Sequence, residues 1–382
     1  MRGLFIGGYP NEVEPYRCVF FQEFVHACAR QGIECYVFAP VSITSYKQNV
    51  QRIKYHAIEN AGDNAYVHVY HPRMVTYSAK RIGSWNTIHL TLKSTYSAVL
   101  STYKKLGIDF DFVYGHFFLG GGLIATKLGH RYGIPAYIAY GECDFESEVR
   151  VKYGDITPKE LKGLHGIIAV STNNSNDLKE RKFTGDIPIL ICPNAVDNSN
   201  FYKMDKKSCR EQLKLPSDSF IVGFVGYFIE RKGYNRLLKA CEGLKNVKLA
   251  FAGKGNNPPQ GENVVFCQSL KHEDVAVFLN AVDVFALPTL NEGCCNAVVE
   301  ALACGKAIVS SDLPFNYDVL NSDNSILIDP NNIEEIRAAI IKLRDDTDKL
   351  HSLEEKALRV ASGLSIEGRA AKIIDFIKNT KD

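Results

Sequence analysis

The stretch PTLNEGCCNAVVEALACGKAIVSSDLP, residues 288–314, decides how the rest of the chain is read. VDVFALP (282–288) just before it and KAIVSSD (306–312) near its end are short apolar runs with strand character. The residues between them carry helical spacing, which predicts a helix over about 294–304. Strand, loop, helix and strand together form the repeating unit of a parallel α/β sheet. Glu292 falls in the loop ahead of the helix and Glu300 about two turns in, where side chains tilt back toward the helix N-terminus. Cys294 and Cys295 stand between them. The stretch could therefore be a proton-transfer pair, a cysteine metal site, or two anchors for one ligand.

The same alternation extends in both directions. FIVGFVGYF (220–228), VKLAFAG (247–253) and the two runs above read as strands, with GYNRLLKACEGL (233–244) and EDVAVFLNA (273–281) as helices. An earlier series has GLFIGG (3–8), IECYVFAP (33–40), FDFVYGH (110–116), PAYIAYG (135–141) and GIIAVS (166–171) as strands, with a helix over 17–32. The chain ends on two amphipathic helices, 333–346 and 367–379. This pattern predicts two doubly wound domains, 1–196 (joined by the C-terminal helix, 367–382) and 197–366. A length of 382 residues suits two separate cores.

Composition narrows the function classes. Charged residues make up 23% and the formal net charge is +2, which argues against a general nucleic-acid binder. No apolar run is long enough to span a membrane, and Pro10, Glu12 and Glu14 interrupt the N-terminus too early for a secretory signal. The eleven cysteines form no CxxC pair and many sit inside apolar runs, as expected of a reduced, cytoplasmic chain. Adjacent cysteines without a partnering histidine spacing weaken the metal reading of 288–314.

Ligands of open parallel sheets bind at the carboxyl ends of strands, beside helix N-termini. IERKGYN follows the strand ending at Phe228, so Arg231 and Lys232 precede a helix opening at Gly233. Two cations beside a helix start suit a phosphate chain. An isolated RKG is more often a solvated basic loop; its neighbour LNEGCCNAVVE, further downstream, reverses this in favour of the ligand reading. A glycosidase pair needs carboxylates on opposite faces of a scissile bond, which two residues of one short segment do not readily provide.

With VGYFIERKGYNRLLKA (225–240), AFAGKG (250–255), HEDVAVFLNAVDVFALPTLNEG (272–293) and the E-x7-E unit from Glu292 to Glu300, the chain resembles glycosyltransferase family 4. VYGHFFLGGGLIATKLG (113–129), CPNAVD (192–197) and 9–40 extend the resemblance over nearly the whole chain. It implies the GT-B fold, two Rossmann-like domains facing each other across a cleft, and a retaining transfer of a hexose-type sugar. The donor implied is a UDP- or GDP-sugar, and the acceptor a glycan or lipid-linked molecule of surface polysaccharide synthesis. Carried over by position, Arg231 and Lys232 match the cations on the donor diphosphate, and Glu300 the glutamate on the ribose hydroxyls. Glu292 matches the contact to the donor sugar, and the backbone of Gly293, Cys294, Cys295 and Asn296 meets sugar or phosphate. Gly8 matches a position near the phosphates and His116 the histidine beside the reacting sugar; Asn194 and Asp197 shape the hinge. On its own, a histidine after VYG is often a plain loop residue.

Three departures from the family pattern stand out. Tyr227 occupies a position often held by arginine, Tyr140 stands where a histidine is expected with Asp144 one place late, and FNYD (315–318) lacks glycines. The DFD at Asp109 to Asp111 spells a metal-binding triplet, but it precedes its strand instead of following it. No cofactor or required metal is expected. The segment 47–105 holds nine basic residues against Glu59 and Asp63, a local excess of +7, interleaved with tyrosines such as Tyr66, Tyr70, Tyr77, Tyr96 and Tyr103 and with Trp85. It reads either as a contact for an anionic membrane surface, peripheral at its inner face, or as a solvated helix pair. A UDP-sugar 2-epimerase of the same fold and a non-catalytic nucleotide-sugar binder are the rival functions.

Overall fold

The computed structural model describes residues 1–45, 49–77, 80–83 and 85–381 of the chain. They form two compact units, Met1–Cys192 with Ile366–Asp382, and Pro193–Ser365.

The first unit is built on an eight-stranded sheet. Its strands are β1 (Arg2–Ile6), β2 (Glu34–Phe38), β3 (His56–Gly62), β4 (Ala65–Tyr70), β5 (Phe112–His116), β6 (Ala136–Tyr140), β7 (Leu164–Ala169) and β8 (Ile189–Ile191). The spatial order is β8-β7-β6-β5-β1-β2-β4-β3, and every pairing is parallel except the β3–β4 hairpin. Strands such as AYIAY are buried along their whole length, as expected of a sheet covered on both faces. The flanking helices include α1 (Val19–Arg30), α2 (Ile88–Leu106) and α3 (Leu123–Tyr132). The edge hairpin is pinned to α1 by Glu59, whose Oε2 accepts from Tyr9, Gln22 and His26 at 3.0, 3.0 and 2.9 Å. Burial raises the Glu59 pKa, but these donors outweigh it and the carboxyl stands below its ordinary value.

The C-terminal helix, Ile366–Thr380, returns to this first unit. Arg30 pairs with Glu367, Arg369 lies over the Phe24 ring at 5.4 Å, and Tyr137 donates to the Ile377 carbonyl at 3.1 Å.

The second unit carries a six-stranded parallel sheet: β9 (Phe220–Tyr227), β10 (Val247–Lys254), β11 (Val264–Gln268), β12 (Val284–Leu287), β13 (Ala307–Ser311) and β14 (Ile326–Ile328). The order is β11-β10-β9-β12-β13-β14. In each sheet the chain starts near the centre and winds outward both ways. The order therefore reverses between β1 and β5, and again between β9 and β12. Such switch points open a crevice beyond the strands' carboxyl ends, because the two connections leave in opposite directions.

The described residues of segment 47–105 do not form a helix pair. They fold as the β3–β4 hairpin, short strands and one long helix, α2, because HAIENAG and AYVHVY alternate with strand period around a turn. Lys47 and the side chain of Trp85 lie outside the described residues. Among the described residues, no helix is long and apolar enough to cross a membrane.

Candidate functional site

At the second switch point two loops meet. The loop after β9 makes a tight turn over Glu230–Lys232 and closes at Gly233, whose φ is +79°. A Cβ there would lie 2.1 Å from the Pro288 carbonyl oxygen, so only glycine lets this loop press against the one after β12. The contact is sealed by the Leu290 N–H donating to the Arg231 carbonyl at 2.8 Å and by Arg236 Nη2 donating to the Pro288 carbonyl at 2.9 Å.

This approach brings three charged groups together. Arg231 Nη1 donates to Glu292 Oε1 at 2.8 Å, and Lys232 Nζ lies 2.7 Å from the same oxygen. Arg231 also donates to the Asn291 carbonyl, and the Thr289 hydroxyl donates to Glu292 Oε1 at 3.0 Å. The Glu292 side chain is 8% exposed, Lys232 13% and Arg231 34%, so the cluster opens to solvent on its arginine side. Burial pulls the Lys232 pKa down, yet Cys295 and Glu292 more than offset it, and the ammonium stays charged with a raised pKa. Burial pushes the Cys295 thiol up to about 11, partly opposed by Lys232, so it is a neutral thiol near pH 7. Neither it nor Cys294 belongs to a metal-ligating cluster among the described residues.

The helix after this loop is α4 (Asn296–Ala303), with Cys295 as its N-cap. It begins two residues later than its spacing predicts, so Gly293 to Cys295 belong to the loop and Asn296 opens the helix. Asn194 fixes this start: its Nδ2 donates to the Cys294 carbonyl at 2.9 Å and to Asn296 Oδ1 at 2.7 Å. Asp197 closes its own turn instead, accepting from Ser199 N–H at 2.8 Å. Glu300 is buried on the second turn of α4. Tyr227 ends β9 beside Lys254, its partner in the β9–β10 register, whose Nζ lies 5.6 Å from the tyrosine ring centre.

The first switch point holds Gly8, after β1, and His116, the last residue of β5. Both line a cavity of about 640 Å³ together with Arg17, Met74, Leu92 and Glu142. The His116 ring stacks on Phe21 at 4.5 Å and meets Phe117 edge-on at 4.6 Å. Burial among these rings pushes its pKa down to about 3, with Arg369 adding to the effect. It is therefore a neutral imidazole, suited to hydrogen bonding and not to carrying charge. Asp144 faces a local task, capping the turn through the Glu146 and Ser147 amides. Tyr140 donates to Asp177 Oδ2 at 3.0 Å. Asp111 directly precedes β5, accepting from the Arg2 N–H at 2.6 Å, at the strand end opposite His116.

Sequence reasoning missed Glu142 and Thr289. Glu142 is buried in the cavity wall, and burial raises its pKa to about 7 against the pull of backbone donors from Phe118 and Gly141. The available signal was its place directly after a strand's carboxyl end, where the neighbouring Asp144 drew attention instead. Thr289 carried no signal, because its role depends on a loop packed against it from another strand.

Two Rossmann-like units, each wound about its own sheet, define the class: the fold is GT-B. The chain aligns over 99% of its length with sucrose-phosphate synthase from Thermosynechococcus elongatus, covering 98% of that chain, with a TM-score of 0.78 and 17% identity. It aligns as fully with Anabaena HepE in complex with UDP-glucose, covering 100% of that chain, with a TM-score of 0.70 and 16% identity. Residues 205–360 match the family model described as glycosyl transferases group 1. The "Putative teichuronic acid biosynthesis glycosyltransferase TuaC" of Bacillus subtilis (strain 168) is 26% identical over 353 residues, 87% of this chain and 86% of that relative.

Proposed function

We propose that the protein is a glycosyltransferase of polysaccharide synthesis, taking a hexose-type sugar from a nucleotide diphosphate sugar, UDP- or GDP-linked, to a glycan or lipid-linked acceptor. The observation that carries this reading is the convergence of Arg231 and Lys232 on Glu292 Oε1 at the second switch point. The family match over 205–360 and the similarity to TuaC support it.

In this reading the diphosphate docks on the exposed side of Arg231 and Lys232, and Glu300 takes the ribose hydroxyls. Glu292 holds both cations in place before the donor arrives, so little reorganisation is needed as charge develops. The Glu292 carboxylate also accepts a hydroxyl of the donor sugar, and the backbone of Gly293 to Asn296 meets sugar or phosphate. The bond from the anomeric carbon to the phosphate oxygen breaks with its electron pair on the diphosphate. The acceptor oxygen bonds the same carbon, and its proton passes to the departing phosphate. Transfer retains anomeric configuration and requires no metal, since the two cations balance the leaving group.

The first unit's cavity receives the acceptor beside His116, with Gly8 at a position near the donor phosphates. Exposed Lys80, Arg81 and Lys93 of the same unit draw the protein to anionic lipid. Glu59, one of only two acids in 47–105, is turned in against α1 and leaves the basic excess largely unopposed.

Thermal-shift screening with UDP-, GDP- and ADP-sugars tests the donor site: one class should stabilise the protein, and Glu300→Ala should abolish that shift. No stabilisation by any of them would sink the assignment. Turnover in EDTA, with the product's anomeric configuration read by NMR, tests metal independence and retention. Binding without turnover on any acceptor would favour a sugar-nucleotide binder, and interconversion of the donor's own sugar a 2-epimerase.

A further inference from the structure

We propose that Glu142 is the positioning residue of the first unit's site: its carboxylate holds the turn that presents His116 to the cavity. Glu142 is buried, and both carboxylate oxygens are engaged by main-chain donors. The Phe118 N–H donates to Oε1 at 2.6 Å and the Gly141 N–H donates to Oε2 at 3.1 Å. The main chain of Glu142 is itself fixed, because Asn174 Nδ2 donates to its carbonyl at 2.9 Å and Ser171 donates to Asn174 Oδ1 at 2.6 Å.

The residue between His116 and Phe118 explains why such an anchor is needed. Phe117 has a φ of +64°, a left-handed conformation that a bulky side chain rarely adopts. The chain cannot relieve this strain elsewhere in the loop. A Cβ at Gly121 would lie 2.4 Å from both the His116 and the Ile6 carbonyl oxygens, and one at Gly115 would lie 2.3 Å from the Gly121 carbonyl oxygen. Backbone crosses backbone there without slack. The amide directly after the strained residue is the one Glu142 captures. Without that carboxylate the Phe118 N–H is orphaned inside the protein, and the turn relaxes at Phe117.

His116 depends on that turn more than most site histidines do. Its Nδ1 is buried with no hydrogen-bond partner, so no carboxylate or carbonyl fixes the ring through that nitrogen. Ring orientation rests on stacking against Phe21 and on the backbone leading into Phe117. Glu142 therefore acts on His116 through two peptide units, not by touching it.

The test uses the full chain with 13C-labelled histidine, the His116 signal being assigned with His116→Gln. In Glu142→Gln, one oxygen is replaced by an NH2 that cannot accept from Gly141; in Glu142→Ala both anchors go. The His116 ring signal is expected to shift or split in both variants while the other histidine signals hold. The kinetic arm rests on the proposed glycosyl transfer: kcat should fall about tenfold for Gln and about 10²-fold for Ala, with donor KM within about twofold because the proposed diphosphate and ribose contacts lie in the second unit. An unmoved His116 signal overturns the inference, and so does unchanged kcat once turnover is established. If Glu142→Ala does not fold, the Gln variant decides alone. If the wild type transfers no sugar, the proposed function fails while the NMR result still decides this inference.

Discussion

Glu292 shows how one carboxylate can organise a site without moving a proton. It neutralises part of the charge of Arg231 and Lys232 while keeping both within 2.8 Å of one oxygen. Breaking a buried pair leaves an uncompensated charge, so Glu292→Ala should destabilise the second unit by about 3 kcal/mol. Pyrophosphate or UDP should restore more stability to this variant than to the wild type, because phosphate oxygens replace the missing carboxylate. Equal gains, measured by denaturant titration with and without ligand, would disprove this.

In the first unit Glu142 and His116 set opposing pH dependences. Glu142 has a pKa raised to about 7 from 4.5, so its stabilising contribution is full below pH 4.5 and is lost as pH rises to about 7. His116 has a pKa lowered to about 3 from 6.5, so its contribution is full above pH 6.5 and is lost as pH falls toward 3. The two slopes oppose each other between pH 4.5 and 6.5. Glu142→Gln should steepen the loss of thermal stability on acidification in that window, and His116→Gln should make stability fall as pH rises through it. Parallel profiles for wild type and both variants would refute the assignment.

The loops matter more than the strands and helices they join. Gly233 is the position where the β9 and β12 loops touch, and Gly233→Ala meets both a positive φ and the Pro288 carbonyl. We expect a loss of at least about 1–3 kcal/mol and weaker donor binding, because Arg231 and Lys232 would be carried away from Glu292. A Gly233→Ala protein with unchanged stability and affinity would contradict this. The same logic explains what was readable in advance. The strands around each switch point follow from buried apolar runs, and α4 from its helical spacing. Its start at Asn296 was not readable, because Asn194, about a hundred residues earlier, fixes it. The β3–β4 hairpin was missed because Glu59 looks like a surface residue until Gln22 and His26 of α1 meet it.

Taken whole, the chain closes its first unit with its last helix. The Arg30–Glu367, Arg369–Phe24 and Tyr137–Ile377 contacts predict that removing residues 366–382 unfolds that unit. The fragment 193–365 should still fold and bind the nucleotide, as circular dichroism and calorimetry would show. Full stability of the truncated chain would refute this division.

The sequence by itself determined the two doubly wound units and set the charged residues of the second site at strand ends. Apolar period sets strand and helix locally, and Arg231, Lys232, Glu292 and Glu300 lie in short segments at strand ends. Tertiary structure alone decided which groups meet. Glu292 turns to the cations, Thr289 and Asn194 become supports, and Glu142 reaches the amide behind His116. Those pairings join residues of different strands, and their distances are set by sheet order and close packing, which no local pattern records.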